Sequence, residues 1–497
     1  MQSTGNRALA LCGSDVPHGP GLVVRSCEDC ACPTGGERAH RQHPVDLPAG
    51  PLVRAEGVVD IPLDDEHSVL FGSQGRGGVV VVNRTARDLF QRFTEPTSLA
   101  DLVRAGQEPG EAAEVVRRLV EQDLVHAPGL APRPEFAASR ELTAWLHVTN
   151  QCNLRCTYCY VHKSDESMDH ATARETVDAL VRSAVDNGFR SLRLKYAGGE
   201  ASLNADVLFA LHDHAVARCA EQGLGLSAVL LSNGVALPDR LATRLVERDI
   251  RLMISLDGLG AVHDAQRPTV AGKPSARRVV RTVDRLVRHG VAPHLSITIT
   301  SGNVDEVAAV VRYALERGLT FSFNFFRDND CASRFEDLQY EERSMVAGLA
   351  DAFAVIEELL PPWSVLGSVL DRGQLVEPRR KSCGVGDDYV VVDQRGQVSQ
   401  CHMEIGSTLG DVRHVDPVAA IRDDSAGIRN LLVDDKEGCR DCTWRNWCSG
   451  GCSVATFRAT GRFDVRSPNC NIYRAIYPAA LRLEGLRLLR FAEPAGR

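Results

Sequence analysis

No stretch of this sequence stays apolar for long enough to cross a bilayer, and its N-terminus lacks the basic-then-apolar order of a secretory signal. A membrane protein and an exported protein are therefore not expected, and the chain reads as cytoplasmic. Positive charge is not in excess either. With 57 Lys and Arg against 65 Asp and Glu, the net charge is −8, so no broad basic face for nucleic acid is expected. The remaining composition, 44% hydrophobic and 25% charged, is that of an ordinary soluble protein. At 497 residues the chain exceeds one hydrophobic core and implies two or three domains.

What the sequence does have is cysteine, 16 in all. In a long chain without an export signal, clustered cysteines are more often thiolate ligands than disulfides. Residues 1–50, rich in Gly, Pro, Arg and His, show no periodicity and read as a disordered tail. The tail contains Cys12 and the run Cys27, Cys30, Cys32, whose spacing also suits a metal. Residues 51–130 form a small α+β unit. Strands are expected at Val59–Ile61, Ser68–Phe71 and Val79–Val82, and helices from Asn83, near Ser98 and from Glu111.

Residues 140–330 alternate strand and helix six times. The pattern predicts parallel strands in a partial (β/α)6 barrel, an α/β fold with its functional groups at the C-terminal strand ends. A helical linker, 331–380, follows. The section 381–475 is short, Gly-rich and crowded with cysteine, so ligands rather than a large core are expected to hold it. Residues 476–497 read as a C-terminal helix.

Directly after the first barrel strand stands Cys152-Asn153-Leu154-Arg155-Cys156-Thr157-Tyr158-Cys159. Three thiolates on such a loop bind three irons of a cubane cluster and leave the fourth iron open. This stretch, with aromatic Tyr158 before the last cysteine, resembles the signature of the radical S-adenosylmethionine (SAM) superfamily. The resemblance implies that SAM binds the open iron and is cleaved to a 5′-deoxyadenosyl radical that abstracts hydrogen. It also implies SAM contacts at the ends of the following strands. Gly198 and Gly199 would allow close approach of the ligand, Glu200 would receive its ammonium, and Ser232 and Asn233 would line it. Ser255 and Asp257 would bind the ribose, and Arg267 the carboxylate.

A second set runs Cys383, Cys401, Cys439, Cys442, Cys448, Cys452, Cys470. Its order resembles the SPASM extension of radical SAM enzymes that modify peptides and proteins, with zinc as the chemical alternative. The resemblance implies one auxiliary [4Fe–4S] cluster on Cys439, Cys442, Cys448 and Cys470. Cys383, Cys401 and Cys452 would hold another, whose fourth position is either Cys331 or an open iron. Cys219 reads as a small buried apolar residue. The small 51–130 unit resembles the PqqD-like winged-helix element that grips leader peptides, with a plain N-terminal cap as the alternative.

The implied activity is a maturase that oxidatively installs a cross-link or thioether in a ribosomally made precursor peptide. Its electron donor would be a low-potential flavodoxin or ferredoxin. His402 follows Cys401 where sulfatase-maturing relatives carry an Asp base; with Glu404 it is either that base or a packing residue. The alternatives are a maturase of a folded protein, of sulfatase or quinohemoprotein type, and a non-catalytic iron–sulfur carrier or sensor.

Overall fold

A computed structural model describes residues 7–12, 15–16, 47–136, 138–332 and 338–492. The first described residues depart from the expected tail. Strand β1 (Ala10–Leu11) joins a small sheet, and Leu11 and Cys12 are buried. Alternating small and aliphatic side chains over only a few residues give too weak a period to stand out in a Gly- and Pro-rich setting. Cys27, Cys30 and Cys32 lie outside the described residues.

The N-terminal unit continues with β2 (Val53–Arg54), β3 (Val58–Pro62), β4 (His67–Gly72) and β5 (Val79–Asn83). Then come α1 (Arg84–Gln91), α2 (Leu99–Arg104), α3 (Pro109–Glu121) and β6 (Val125–His126). The helix starts are written locally. Asn83 caps α1 by accepting from Ala86 N, and Ser98 and Asp101 close a reciprocal capping box on α2. The sheet order is β1-β5-β4-β3, antiparallel throughout. Period-two alternation divides its two faces. Leu70, Val80 and Val82 pack on the unit's own helices, whereas Val69, Phe71, Val79 and Val81 face the core of the rest of the chain.

The large sheet begins with β7 (Glu141–His147), followed by α4 (His170–Asp186), β8 (Ser191–Ala197), α5 (Ala205–Gln222) and β9 (Gly225–Ser232). It continues through α6 (Asp239–Glu247), β10 (Ile250–Ser255), α7 (Ala261–Gln266) and α8 (Ala276–Arg288). The last barrel elements are β11 (His294–Ile299), α9 (Val307–Leu315) and β12 (Phe321–Phe325). All six strands are parallel and adjacent in chain order. The fold is thus the expected α/β partial barrel. Leu142, Ala144 and Leu146 of β7, with Leu192, Leu194 and Tyr196 of β8, join the main core. The alternate residues Thr143, Trp145, His147, Arg193 and Lys195 are equally buried on the opposite face.

The C-terminal section differs from expectation. After α10 (Glu342–Leu359), strand β13 (Tyr389–Val392) pairs in parallel with β7. β14 (Gln397–Ser399) and β15 (Thr408–Asp411) then extend the sheet as antiparallel strands to nine in all. The section is therefore built on the barrel's own sheet as well as on cysteines. The run Tyr389-Val390-Val391-Val392 is fully buried, the signature of a strand covered on both faces. Short helices α11 (Pro417–Asp423), α12 (Arg445–Cys448) and α13 (Ser453–Thr460) follow. The last helix, α14 (Cys470–Phe491), starts at a cysteine and not at residue 476, so it belongs to the Cys-rich section. Among the described residues no helix is long and apolar enough to cross a membrane.

The N-terminal unit is docked on this section. Phe71 meets the Trp447 ring edge-on at 4.8 Å and Trp444 at 6.1 Å, and Trp447 Nε1 donates to Ser73 O at 3.0 Å. Arg482 of α14 donates to Leu63 O at 2.7 Å. Phe71→Ala is expected to cost about 3–5 kcal/mol in urea denaturation, with faster hydrogen exchange in β3–β5 than in the barrel strands. Equal loss of protection everywhere would mean that the unit is not separately docked.

Candidate active site

The loop after β7 carries Cys152, Cys156 and Cys159 at the C-terminal end of the barrel. Backbone hydrogen bonds attach it to the turn after β8: Gly199 N donates to Thr149 O at 2.7 Å and Glu200 N to Gln151 O at 2.8 Å. The two glycines serve that contact. A Cβ on Gly198 would stand 2.4 Å from Thr149 O, and one on Gly199 2.2 Å from Gln151 O. Their close approach is to the backbone of the cysteine loop. The loop is also tied to the segment after α7, with Thr157 N donating to Gln266 O at 3.0 Å and Arg155 N to Pro268 O at 2.8 Å.

Buried Glu200 is held by four donors. Oε1 accepts from Ser202 Oγ at 2.6 Å, Ser202 N at 3.2 Å and Ser232 Oγ at 2.9 Å, while Oε2 accepts from Asn233 N at 2.7 Å. Asn233 Nδ2 in turn donates to Asn153 Oδ1 at 2.7 Å and lies 3.8 Å from Cys152 Sγ. Glu200, Ser232 and Asn233 are thus brought together beside the first cysteine. Ser255 ends β10, half-buried and in register with Ser296.

Asp257, expected to contact the ribose, makes its hydrogen bonds within the protein. Its carboxylate is fully buried; Oδ2 accepts from Tyr158 OH at 2.7 Å and Gln266 Nε2 at 3.1 Å, and Oδ1 accepts from Thr298 N at 2.9 Å. Arg267 bonds Tyr158 OH and lies 3.5 Å from Asp257 Oδ2, so its guanidinium is also turned inward. Tyr158, Asp257 and Arg267 form an internal lock that fixes the cysteine loop. The buried carboxylate and guanidinium and the half-buried tyrosine satisfy one another.

Burial pushes the Cys156 thiol up to about 12 against the pull of Arg267. Lys163, which belongs to no motif, donates to Cys159 Sγ at 3.1 Å, and the three thiols of the loop raise its own pKa against the effect of burial. A Lys four positions after the last cysteine was the only available signal. Three sulfurs facing one lysine and one arginine suit a cluster held by thiolates, whose negative charge these cations would offset.

The second set of cysteines divides into two groups. Cys439, Cys442, Cys448 and Cys470 lie within electrostatic reach of one another, and burial lifts the Cys448 thiol to about 12. Cys383, Cys401 and Cys452 line one small pocket with Arg372, His402 and Met403. Burial raises Cys401 to about 12; in Cys452 Arg327 and Arg372 outweigh burial and hold the thiol below its ordinary value. Buried Lys436 lies within reach of both groups, its pKa lowered by burial against the pull of Cys383, Cys439, Cys448 and Cys452. Nothing in its sequence setting marked it. Cys331 is not among the residues lining the pocket; its thiol donates to Tyr160 O at 3.4 Å. Cys219 is buried in α5, as expected. Among the described residues no group of three or more His, Cys, Asp or Glu is already arranged to hold a single metal ion.

His402 stacks on Trp145 at 4.4 Å, meets Tyr160 edge-on at 5.3 Å and shares a 2.8 Å hydrogen bond with Tyr389 OH through Nδ1. Burial, then Arg372, Arg327 and Lys195, hold its pKa well below the ordinary value. It packs between two cysteine segments, the second of the two roles expected for it. Glu404 is ion-paired with Arg458 at 2.8 Å. A hollow of about 570 Å³ on the outer face of α8, lined by Arg278, Arg281, Arg285 and Arg288, holds none of these groups.

A parallel β/α barrel with three thiols on its first loop, a Gly-Gly-Glu turn on its second and further thiols beside it defines an enzyme built around iron–sulfur chemistry. Residues 146–322 match the radical SAM superfamily, and the chain carries a radical SAM domain. Enzymes of this superfamily use a [4Fe–4S] cluster and SAM. The chain is 30% identical over 193 residues to pre-heme d1 synthase of Dinoroseobacter shibae, covering 38% of this chain and 44% of that one. It is 22% identical over 325 residues to a cysteine-type anaerobic sulfatase-maturating enzyme of Clostridium perfringens, covering 61% of this chain and 85% of that one. A protein of Methanocaldococcus jannaschii is 28% identical over 186 residues. The chain spans 62% of the length of that protein and 44% of the synthase. A solved structure of anSMEcpe with AdoMet and a Cp18Cys peptide superposes with a TM-score of 0.56 at 18% identity, covering 70% of this chain and 99% of that one.

Gly199→Ala is expected to destabilise the fold by about 1–3 kcal/mol and to lower iron incorporation on reconstitution, because both neighbours of the new Cβ are backbone carbonyls. Full iron content would show that the loop can shift without harm. A second expectation concerns pH. Burial holds His263 at about 4, and its Nδ1 accepts from Asp257 N at 3.2 Å. A depressed imidazole contributes stability that is full above pH 6.5 and is lost as pH falls toward 4. In His263→Asn, which retains an acceptor, unfolding free energy should fall between pH 7 and 5 by about 2 kcal/mol less than in the unaltered protein. Parallel pH profiles would refute this.

Proposed function

We propose that the chain is a radical SAM maturase that removes a hydrogen atom from a ribosomally made peptide and oxidatively installs a cross-link or thioether. In this reading Cys152, Cys156 and Cys159 hold the SAM-binding cluster. Cys439, Cys442, Cys448 and Cys470 hold one auxiliary cluster, and Cys383, Cys401 and Cys452 hold the other. The carrying observation is the sorting of seven C-terminal cysteines into a group of four and a group of three, joined to the barrel loop by the Tyr160–His402 contact.

When bound, the clusters and SAM supply a 5′-deoxyadenosyl radical and acceptors for the substrate's second electron. The chain's own residues prepare that site. Gly198, Gly199 and Glu200 fix the loop on the end of β8, and Asn233 orients Cys152. Lys163 and Arg267 place positive charge beside the thiolates. Tyr158, with Asp257, closes the base of the loop. Loss of a hydrogen atom and one further electron, with a proton released when a C–C or C–S bond closes, is a two-electron oxidation. A low-potential flavodoxin or ferredoxin is the proposed electron donor. Residues 51–130 are the proposed peptide-recognition unit.

A maturase of a folded protein is the second reading. Similarity to a sulfatase-maturating enzyme over 85% of that enzyme's length favours it; the buried His402 in place of an acidic base opposes it.

The test is anaerobic reconstitution with iron and sulfide counting, followed by reductant and SAM. About twelve irons per chain and formation of 5′-deoxyadenosine are expected. Cys448→Ala should lose about four irons and still form 5′-deoxyadenosine. About four irons in the unaltered protein would remove both auxiliary clusters, and no 5′-deoxyadenosine from the fully loaded protein would overturn the radical reading.

A further inference from the structure

Lys436 is 2% exposed, and among the described residues no carboxylate pairs with it. Its Nζ donates to Ser449 O at 3.3 Å, a long bond to a neutral acceptor. A buried ammonium with so little compensation is costly, and it is kept only where other negative charge offsets it. Burial lowers its pKa, and the groups that pull the other way are four sulfurs, Cys383, Cys439, Cys448 and Cys452. Two of these belong to the group of four cysteines and two to the group of three.

The backbone brings the ammonium to this place. Cys439 N donates to Lys436 O at 3.1 Å, so the lysine opens the turn that carries Cys439 and Cys442. Against its side chain runs Cys448-Ser449-Gly450-Gly451-Cys452, the shortest stretch of chain that joins the two groups. Ser449, Gly450 and Gly451 are all left-handed, with φ of 50°, 76° and 70°, a conformation that glycine adopts at little steric cost. Ser449 Oγ holds the turn by donating to Arg379 O at 2.9 Å. A Cβ on Gly450 would stand 2.4 Å from Lys436 Cδ and 2.8 Å from Nζ. The side chain that residue 450 lacks is the space the lysine fills.

We infer that Lys436 is the shared counter-charge of the two auxiliary clusters and raises the reduction potential of both. The inference rests on the cluster assignment proposed above and adds which residue couples the two clusters. Reduction adds one negative charge to a cluster, and a buried positive charge beside it favours the reduced form. The interior screens such a charge far less than solvent does, so one ammonium between two clusters acts on each. Raised potentials suit clusters that accept the substrate's second electron. The remaining cations serve one group each. Arg327 and Arg372 stand by Cys452, whereas exposed Arg474 lies 3.5 Å from Cys442 Sγ. Those residues set the two potentials apart, and Lys436 moves them together.

The test is a redox titration of the anaerobically reconstituted full-length protein, followed by electron paramagnetic resonance. The signal that SAM alters marks the barrel cluster, and the signal lost in Cys448→Ala marks the four-cysteine auxiliary cluster. Lys436→Gln removes the charge and keeps a donor for Ser449 O. Lys436→Met, closer in shape, remains informative if that variant fails to fold. With about twelve irons retained, both auxiliary potentials should fall in either variant. Each fall should be at least about tenfold in the reduction equilibrium, or about 59 mV for one electron. Lys436→Arg should keep both potentials near their unaltered values, and Arg474→Met should lower that of the four-cysteine cluster alone. Unchanged potentials in the neutral variants, or a fall confined to one cluster, would overturn the inference, since a lysine that only braces the turn leaves them in place. An iron count near four in the unaltered protein would instead sink the cluster assignment itself.

Discussion

The close approach of two backbone segments underlies the arrangement of the site. The turn Gly198-Gly199-Glu200 lies against Thr149, Asn150 and Gln151 at distances that leave no room for a Cβ. This contact fixes the start of the cysteine loop on the neighbouring strand end. From the same turn Glu200 reaches Ser232 and the Asn233 backbone on the third strand, and Asn233 reaches back to Cys152. Three adjacent parallel strands are thereby linked at their C-terminal ends, and the loop's far side is closed by Tyr158, Asp257 and Arg267 from the fourth. A rigid frame of this kind is what a reactive site needs, since small misplacements of the groups that hold a cofactor cost much of its chemistry.

Charge balance is the second theme. Ten cysteines gather in three groups within one chain, and buried or half-buried cations stand beside each: Lys163 and Arg267 by the loop, Arg327 and Arg372 by Cys452, and Lys436 between the two C-terminal groups. Burial, with neighbouring thiols, raises Cys156, Cys401, Cys439, Cys448 and Cys470 despite the cations near them, so burial outweighs charge at these sulfurs. At Cys452 two arginines reverse the direction and hold the thiol below its ordinary value. Occupation by iron would reverse that balance, because a metal ion removes the proton outright.

The N-terminal unit is integrated with this frame. One face of its sheet contributes Val69, Phe71, Val79 and Val81 to the main core, where Trp444 and Trp447 of the Cys-rich section meet them. Trp447 stands directly before Cys448, so the surface that fixes the N-terminal unit also positions a cysteine segment.

The sequence by itself determined the elements whose causes are local. The barrel strands and helices follow from hydrophobic periodicity, their starts from caps such as Asn83 and the Ser98–Asp101 box, and the cysteine groups from spacing. Tertiary structure decided what depends on partners distant in sequence. It turned Asp257 and Arg267 inward to Tyr158 and made His402 a stacked, weakly basic ring. It assigned the glycines to the cysteine loop, brought Lys163 and Lys436 to the sulfurs, and attached β13 to β7. It also paired Ala10 and Leu11, in a stretch with almost no periodic signal, with β5. The physical reason is the same in each case. A helix or a ligand spacing is encoded within a few neighbouring residues, whereas the partner of a buried charge or the edge taken by a short strand is chosen only when the whole chain packs.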